Sequence, residues 1–511
     1  MAIVEALELG EEPRRLRVTS PVDGSEIGVL DCATADEVEA AVERAREAQK
    51  KWGALSIDER QEHLWRLLDQ FVERQDEIID AVMRETGKPR AEAIAMEVYA
   101  PCDAIGFYTK RAKKFLAPEK RRVHGVLGLA KKLRIVYKPL GVVGLITPWN
   151  GPVALAAVPT VQALLAGNTV VHKPSEVTPF SALVLQQFIR DAGFPDDVYQ
   201  VVLGDGATGA ALVDSGVDKV SFTGSVATGR KVAEACGRRL IPCTMELGGK
   251  DAMIVCADAD LDRAAEGAVF GSCMNSGHFC CGTERIYVHQ DVYEPFLAKV
   301  QERVAALRQS DHGEFDVGAI FWDRQMDIIE RHMEDARTKG AKVVLGGSRN
   351  PELKGLYFQP TLVTDVDHNM ELMRSETFGP ILSVMKVKDD EEAIRLANDS
   401  DYGLNGNVWT LDTEKGFKIA ERLETGGACI NDMAITYGVC EAPFGGVKDS
   451  GVGSVNSITG IRGYCHAMPI TADRRGKGKI QGGFPYDRAT EDGMQKFIKI
   501  LWGTRIGRWF S

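Results

Sequence analysis

Between residues 142 and 222, short apolar segments alternate with helix-length ones. Val142-Val143-Gly144-Leu145-Ile146, Thr169-Val170-Val171 and Val220-Ser221-Phe222 read as strands. Ala154 to Ala166 reads as an apolar helix closed by Gly167-Asn168. A strand built only from β-branched residues has both faces covered, as in a parallel sheet between two helical layers. The alternation therefore predicts a doubly wound α/β domain. Ahead of it, residues 35 to 115 read as helices, with Ala40, Ala41, Ala45 and Ala48 and then Leu64, Leu67, Leu68 and Phe71 at helical spacing. Arg134-Ile135-Val136-Tyr137 reads as a further strand. A second α/β stretch follows residue 280, with strands at Arg285-Ile286-Tyr287-Val288 and Lys342-Val343-Val344-Leu345 and a helix from about Leu297 to Leu307.

The chain has 511 residues, 44% of them hydrophobic, enough for two or three domains. Its formal net charge of -11 argues against nucleic acid as a main partner. Eleven cysteines are scattered, with only Cys280 and Cys281 adjacent, and no zinc-ligand spacing appears, so no metal is expected. Met1 to Glu5 lacks the features of a signal peptide, and no apolar run is long enough to span a membrane. Reduced thiols in a cytoplasm are the expected setting.

Two glycine-bordered motifs carry the chemistry. Glu246 lies in Met245-Glu246-Leu247-Gly248-Gly249-Lys250, and Cys280 follows thirty-four positions on in Gly277-His278-Phe279-Cys280-Cys281-Gly282. A cysteine attacks a carbonyl as thiolate, and a carboxylate can act as the general base that frees the acyl group with water. On spacing alone, a buried structural cysteine and an ordinary glutamate remain the commoner readings of these two residues. Both motifs and their interval resemble the NAD(P)-dependent aldehyde dehydrogenases. From about Pro21 to about Tyr464 further marks recur in the family's order: Pro139-Leu140-Gly141-Val142-Val143-Gly144, Thr147-Pro148-Trp149-Asn150, Lys173-Pro174-Ser175-Glu176, Phe222-Thr223-Gly224-Ser225, Glu376-Thr377-Phe378-Gly379-Pro380 and Pro443-Phe444-Gly445-Gly446.

The resemblance implies that Cys280, not Cys281, is the nucleophile, Glu246 the base, and the Asn150 amide an oxyanion donor beside the Cys280 backbone N–H. It implies NAD contacts at Ile146, Thr147, Pro148, Trp149, Lys173, Ser175, Glu176, Gly204, Phe222, Thr223, Gly224, Ser225, Thr228, Leu247, Glu376 and Phe378. Glu176 follows a strand at the end where doubly wound sheets bind ligands, and a carboxylate there accepts from ribose hydroxyls and repels a 2′-phosphate. NAD is therefore expected over NADP. Phe222 to Gly229 can present backbone N–H groups to pyrophosphate as Gly-x-x-x-x-Gly, which as a bare pattern is weak. Two positions depart from the family: His278 stands where glutamine is usual, and Gly151 where phenylalanine commonly lines the substrate tunnel. Gly151 predicts a wider tunnel unless a neighbour fills the space.

The implied fold has a Rossmann-type NAD domain (1–120 and 139–247), an α/β catalytic domain (248–450) and a bridging β-arm (121–138 and 463–472). Such arms pair between subunits, so a homodimer or homotetramer is expected. The implied reaction oxidises an aldehyde to the acid through a thiohemiacetal and a thioester. The alternatives are an acyl-coenzyme A-forming dehydrogenase, disfavoured by Glu246, and a non-catalytic binding member, which would carry a damaged site. The identity of the aldehyde is not legible.

Residues 473–511 form a tail of different character, with nine Lys and Arg against four Asp and Glu. Arg474 to Gly483 has a linker composition. A helix is expected from Thr490, capped by that residue and ended by Gly503, with Met494, Phe497, Ile498, Leu501 and Trp502 on one face. Two readings stay open: the face docks on the enzyme body or a partner subunit, or it lies in a membrane interface as a peripheral contact.

Overall fold

The computed structural model describes residues 14–478, 480, 483–484 and 486–510. The chain start read from Met1 to Glu5, residues 1–13 of the expected cofactor domain, and residues 479, 481 and 482 of the linker lie outside the described residues, as does the side chain of Phe510.

Two large sheets organise the chain. The first has six strands in the order Gly451–Val452, Cys243–Glu246, Lys219–Thr223, Val142–Ile146, Thr169–Lys173 and Tyr199–Val201. All its pairings are parallel except that of Gly451–Val452. Val142–Ile146 has neighbours from both directions of the winding, so the carboxyl ends there form the crevice where doubly wound sheets bind ligands. The strands Val142–Ile146 and Thr169–Lys173 are buried at every residue, as their unbroken apolar character requires. Thr147 and Tyr199 hold the buried His172 ring from either side, each at 2.7 Å. Burial pushes that imidazole down to about 3, so it packs as a neutral group.

The second sheet has seven strands: Lys342–Leu345, Thr361–Thr364, Ile381–Val387, Thr283–His289, Asp251–Val255, Gly406–Trp409 and Cys429–Ile430. Its pairings are parallel except the first. The early helices follow the predicted periodicity. Ala35–Trp52 and Ile57–Glu73 each open with a capping box, Thr34 with Glu37 and Ser56 with Glu59.

Strands Cys465–Asp473, Lys131–Pro139 and Glu119–Arg121 form a separate antiparallel sheet. Its limits differ by a residue or two from those expected, and Leu127–Ala130 is a helical turn. Cys465–Asp473 is an edge strand, mostly exposed.

The tail helix spans Arg488–Gly503 and starts before the expected Thr490. Asp487 is the cap, because its carboxylate accepts the Thr490 N–H at 2.7 Å and lets Arg488 and Ala489 join the first turn. A second helix, Arg505–Phe510, packs back on it. Of the predicted apolar face only Leu501 is buried; Met494, Phe497, Ile498 and Trp502 stay exposed. The face therefore does not dock on the body of its own chain. No helix among the described residues is long and apolar enough to cross a membrane.

Candidate active site

The helix Leu261–Cys273 ends in a tight turn, Met274–Gly277, that delivers Cys280. Asn275 and Ser276 both sit at φ 56°, a left-handed conformation that costs on the order of 1–3 kcal/mol per residue and needs surrounding contacts to hold it. Glu92 supplies one such contact by accepting the Asn275 N–H at 2.8 Å. Gly277 supplies another: at φ +77° a Cβ there would lie 2.1 Å from the Gly379 carbonyl carbon, so only glycine lets the two segments meet.

Asn150 lies against this turn. Its Nδ2 donates to the His278 carbonyl at 3.0 Å, and Asn275 Nδ2 donates to the Asn150 and His278 carbonyls at 2.9 and 2.8 Å. Lys88 Nζ also donates to the Asn150 carbonyl, at 3.2 Å, and pairs with Glu97 at 2.7 Å, both side chains being wholly buried. The second Glu97 oxygen accepts the Val153 and Ala154 N–H groups at 3.0 Å each. One Asn150 amide proton has no partner among the described residues, on a fixed side chain.

The two adjacent thiols act on one another. A hydrogen bond from the Cys281 thiol, with the backbone N–H groups of Cys281 and Cys280, holds the Cys280 thiol below its ordinary range against the effect of burial. The thiol of Cys281 is pushed up by that bond and by burial, and its Sγ lies 3.7 Å from the Ala434 carbonyl. Glu246 ends the strand Cys243–Glu246 and is buried, and neither carboxylate oxygen has a partner among the described residues. Burial, then the charge of Cys280, raises its carboxyl well above the usual range.

His278 is buried in an aromatic box of Phe321, Trp149 and Phe378, with ring centroids 4.4, 5.0 and 5.7 Å away. Burial and the Lys88 charge hold it neutral, and neither ring nitrogen has a partner among the described residues. Gly151 has Leu155 beside it: a Cβ there would lie 3.2 Å from Leu155 Cγ. Leu155 thus fills part of the space that glycine leaves.

The expected cofactor residues fall in two groups. Ile146, Thr147, Pro148 and Trp149 follow the central strand; Lys173, Ser175 and Glu176 follow its neighbour, with Lys173 Nζ 3.3 Å from Glu176. Gly204 precedes the helix Gly206–Asp214. Phe222 and Thr223 end a strand, Gly224 turns, and Ser225 caps the helix Val226–Arg239 by accepting the Thr228 N–H. That N-terminus is open to solvent, as an anion site requires. The second group is Leu247, Glu376 and Phe378. Glu376 accepts the Gly249 N–H at 3.0 Å, and a Cβ on Gly248 would meet its carboxylate at 2.3 Å. Burial and the Glu284 charge raise the Glu376 carboxyl to about 8. The groups join where Gly224 N–H donates to the Glu246 carbonyl at 3.0 Å. An open groove of 490 Å³ also runs from Glu176 to Phe321 and Trp322.

Sequence reasoning missed Lys88, Glu97, Asn275, Lys250 and Glu284. The buried Lys250–Glu284 pair places the Glu376–Phe378 segment, since Glu284 accepts the Thr377 and Phe378 N–H groups at 2.8 and 3.0 Å. Lys250, Glu284 and Asn275 lie within or beside the two glycine-bordered motifs, whereas Lys88 and Glu97 carry no signal in the sequence.

The model of the aldehyde dehydrogenase family matches residues 9–470. The chain belongs to the aldehyde dehydrogenase family. The 4,4'-diapolycopene aldehyde oxidase of Methylomonas sp is 38% identical over 96% of this chain and 91% of its own length. A putative succinate-semialdehyde dehydrogenase [NADP(+)] of Mycolicibacterium smegmatis is 39% identical over 88% of this chain and 87% of its own. Among solved structures, a Mycobacterium tuberculosis aldehyde dehydrogenase complexed with NAD+ superposes with a TM-score of 0.85 at 34% identity, covering 89% of this chain and 94% of that one. The expectations of this family, of its α/β architecture and of an aldehyde-oxidising enzyme hold.

Proposed function

We propose that this chain oxidises an aldehyde to the free carboxylic acid with NAD, using Cys280 as nucleophile and Glu246 as base. The observation that supports this reading is the buried Glu246 carboxyl, with no partner for either oxygen among the described residues and with the charge of Cys280 acting on it.

The Cys280 thiolate adds to the carbonyl carbon. The uncommitted Asn150 N–H and the Cys280 backbone N–H stabilise the oxyanion; one such donor is worth about 3 kcal/mol in the transition state. NAD, when bound, supplies the hydride acceptor. Glu246 then takes a proton from water as its oxygen attacks the thioester, the thiolate leaves, and the acid departs. Glu376 and Phe378 would hold the nicotinamide side, with the Phe222–Thr228 turn, Gly204 and Leu247 at the pyrophosphate and Lys173, Ser175 and Glu176 at the adenosine ribose. The open helix N-terminus and the carboxylates at both ends fit that group. An intact nucleophile, base and cofactor turn argue against a binding-only role, and a base beside the thioester argues against transfer to coenzyme A. Mixing enzyme, aldehyde and NAD with and without coenzyme A tests the reading: NADH and free acid should form equally in both.

The exposed edge Cys465–Asp473 favours a homo-oligomer joined through the three-stranded sheet, which light scattering would measure. The exposed tail face with its flanking Lys496, Lys499 and Arg505 favours peripheral contact with an anionic membrane over docking on a partner subunit. Deleting residues 483–511 should abolish sedimentation with anionic liposomes and leave oligomer size unchanged; a changed oligomer without liposome binding would place the tail between subunits.

A further inference from the structure

We infer that the aldehyde this site takes has an apolar tail and no carboxylate. The inference rests on the aldehyde-oxidising reading and concerns which aldehyde that site accepts.

The first observation is the charge around the reacting atoms. No Lys or Arg among the described residues is ion-paired or hydrogen-bonded to Glu246, whose two carboxylate oxygens have no partner there. Lys88, the ammonium nearest Asn150 in the hydrogen-bond network, is wholly buried and committed to Glu97 and the Asn150 carbonyl. Arg111, on a helix that meets the 440 segment, pairs with Glu441 at 3.5 Å and lies over the Phe107 ring at 4.4 Å. Two acids lie on the same segments: Glu92 reaches the cysteine turn, and Asp103 lies 3.7 Å from Cys440 Sγ. A substrate carboxylate entering here would be desolvated without a partner.

The second observation is what the surrounding segments present. Phe279 and Tyr437 pack in the same apolar cluster as Cys280. Further out, three segments linked to this centre expose apolar side chains. Ile94 and Tyr99 lie on the turn that follows Glu92; Phe270 lies on the helix that leads to the cysteine turn; Ile435 lies beside Tyr437. Tyr99 is 68% exposed and Phe270 54%. Leu155 places an aliphatic side chain beside Gly151, the residue that follows Asn150. Such a lining gains from each methylene it covers, at roughly 0.8 kcal/mol per CH₂.

The test compares kcat/KM of the full chain, with NAD, for the n-alkanals from propanal to decanal and for succinic semialdehyde. The expected result is a value that climbs with chain length and exceeds that for succinic semialdehyde at least tenfold at decanal. Ile435→Arg should then raise the semialdehyde relative to decanal by adding the missing cation. Succinic semialdehyde used as well as decanal, or a flat chain-length series, overturns the inference and leaves aldehyde oxidation standing. Absence of NADH with every aldehyde overturns the functional reading itself, and the inference with it.

Discussion

Two kinds of buried polar group meet in this molecule. Lys88–Glu97 and Lys250–Glu284 are ion pairs with nearly every oxygen and ammonium committed to a named backbone or side-chain partner. Glu246 is equally buried and has no partner for either oxygen. Completing a buried network fixes geometry, whereas an incomplete one holds a group out of its relaxed protonation state. The pairs belong to the frame, and they hold Asn150 and the Glu376–Phe378 segment. The unpartnered acid and the Cys280 thiol are the groups proposed to react.

Replacing residues on each side of this divide should have opposite signatures. The largest effect is expected at the reacting thiol: Cys280→Ala should abolish NADH formation with little change in Tm, while Cys281→Ala keeps most activity. The reverse pattern would move the nucleophile. Glu284→Gln should cost about 3–5 kcal/mol of stability, because it leaves Lys250 as an uncompensated buried charge. Chemical denaturation measures this, and a loss under 1 kcal/mol would dissolve the distinction between frame and site.

Glu246→Gln should do the converse: steady-state acid release falls by orders of magnitude, yet the first hydride transfer persists in rapid mixing and the fold is not weakened. Its pH dependence sharpens the point. The folded protein raises the Glu246 carboxyl above its unfolded value, so the folded state binds the proton more tightly. Stability from this group is complete below the ordinary carboxylate range and is lost as pH climbs toward the raised value. Wild type should therefore lose Tm relative to Glu246→Gln on going from pH 5 to pH 9; parallel curves would mean that the carboxyl is not perturbed. The smallest effect is expected at the half-exposed rim: Glu176→Ser should raise relative use of NADP several-fold, and unchanged discrimination would remove Glu176 as the determinant.

The sequence made the frame's architecture legible where periodicity and burial agree, as in Val142–Ile146 and the helix that follows. It made the site legible where glycines mark close approach, at Gly248 and Gly277. It did not reveal Lys88 or Glu284, since a buried ion pair looks in sequence like two ordinary surface residues. Leu155 was equally hidden, because what fills the space beside a glycine depends on which side chain folds back over it. The tail helix was placed two residues late for a local reason: Asp487 and Thr490 both suit a cap, and only geometry decides which accepts.

Gly451–Val452 closes the edge of the first sheet by pairing with Met245 and Glu246, and the Ser450 carbonyl accepts the Leu247 N–H at 2.9 Å. During synthesis, a chain that has emerged through residue 400 already contains both Cys280 and Glu246 but lacks the segment that locks the base in place. Ring closure over some two hundred residues comes late on the folding path. On the proposed roles, the thiol thus spends its time on the ribosome without the finished strand beside Glu246, which forms only with the last tenth of the family region.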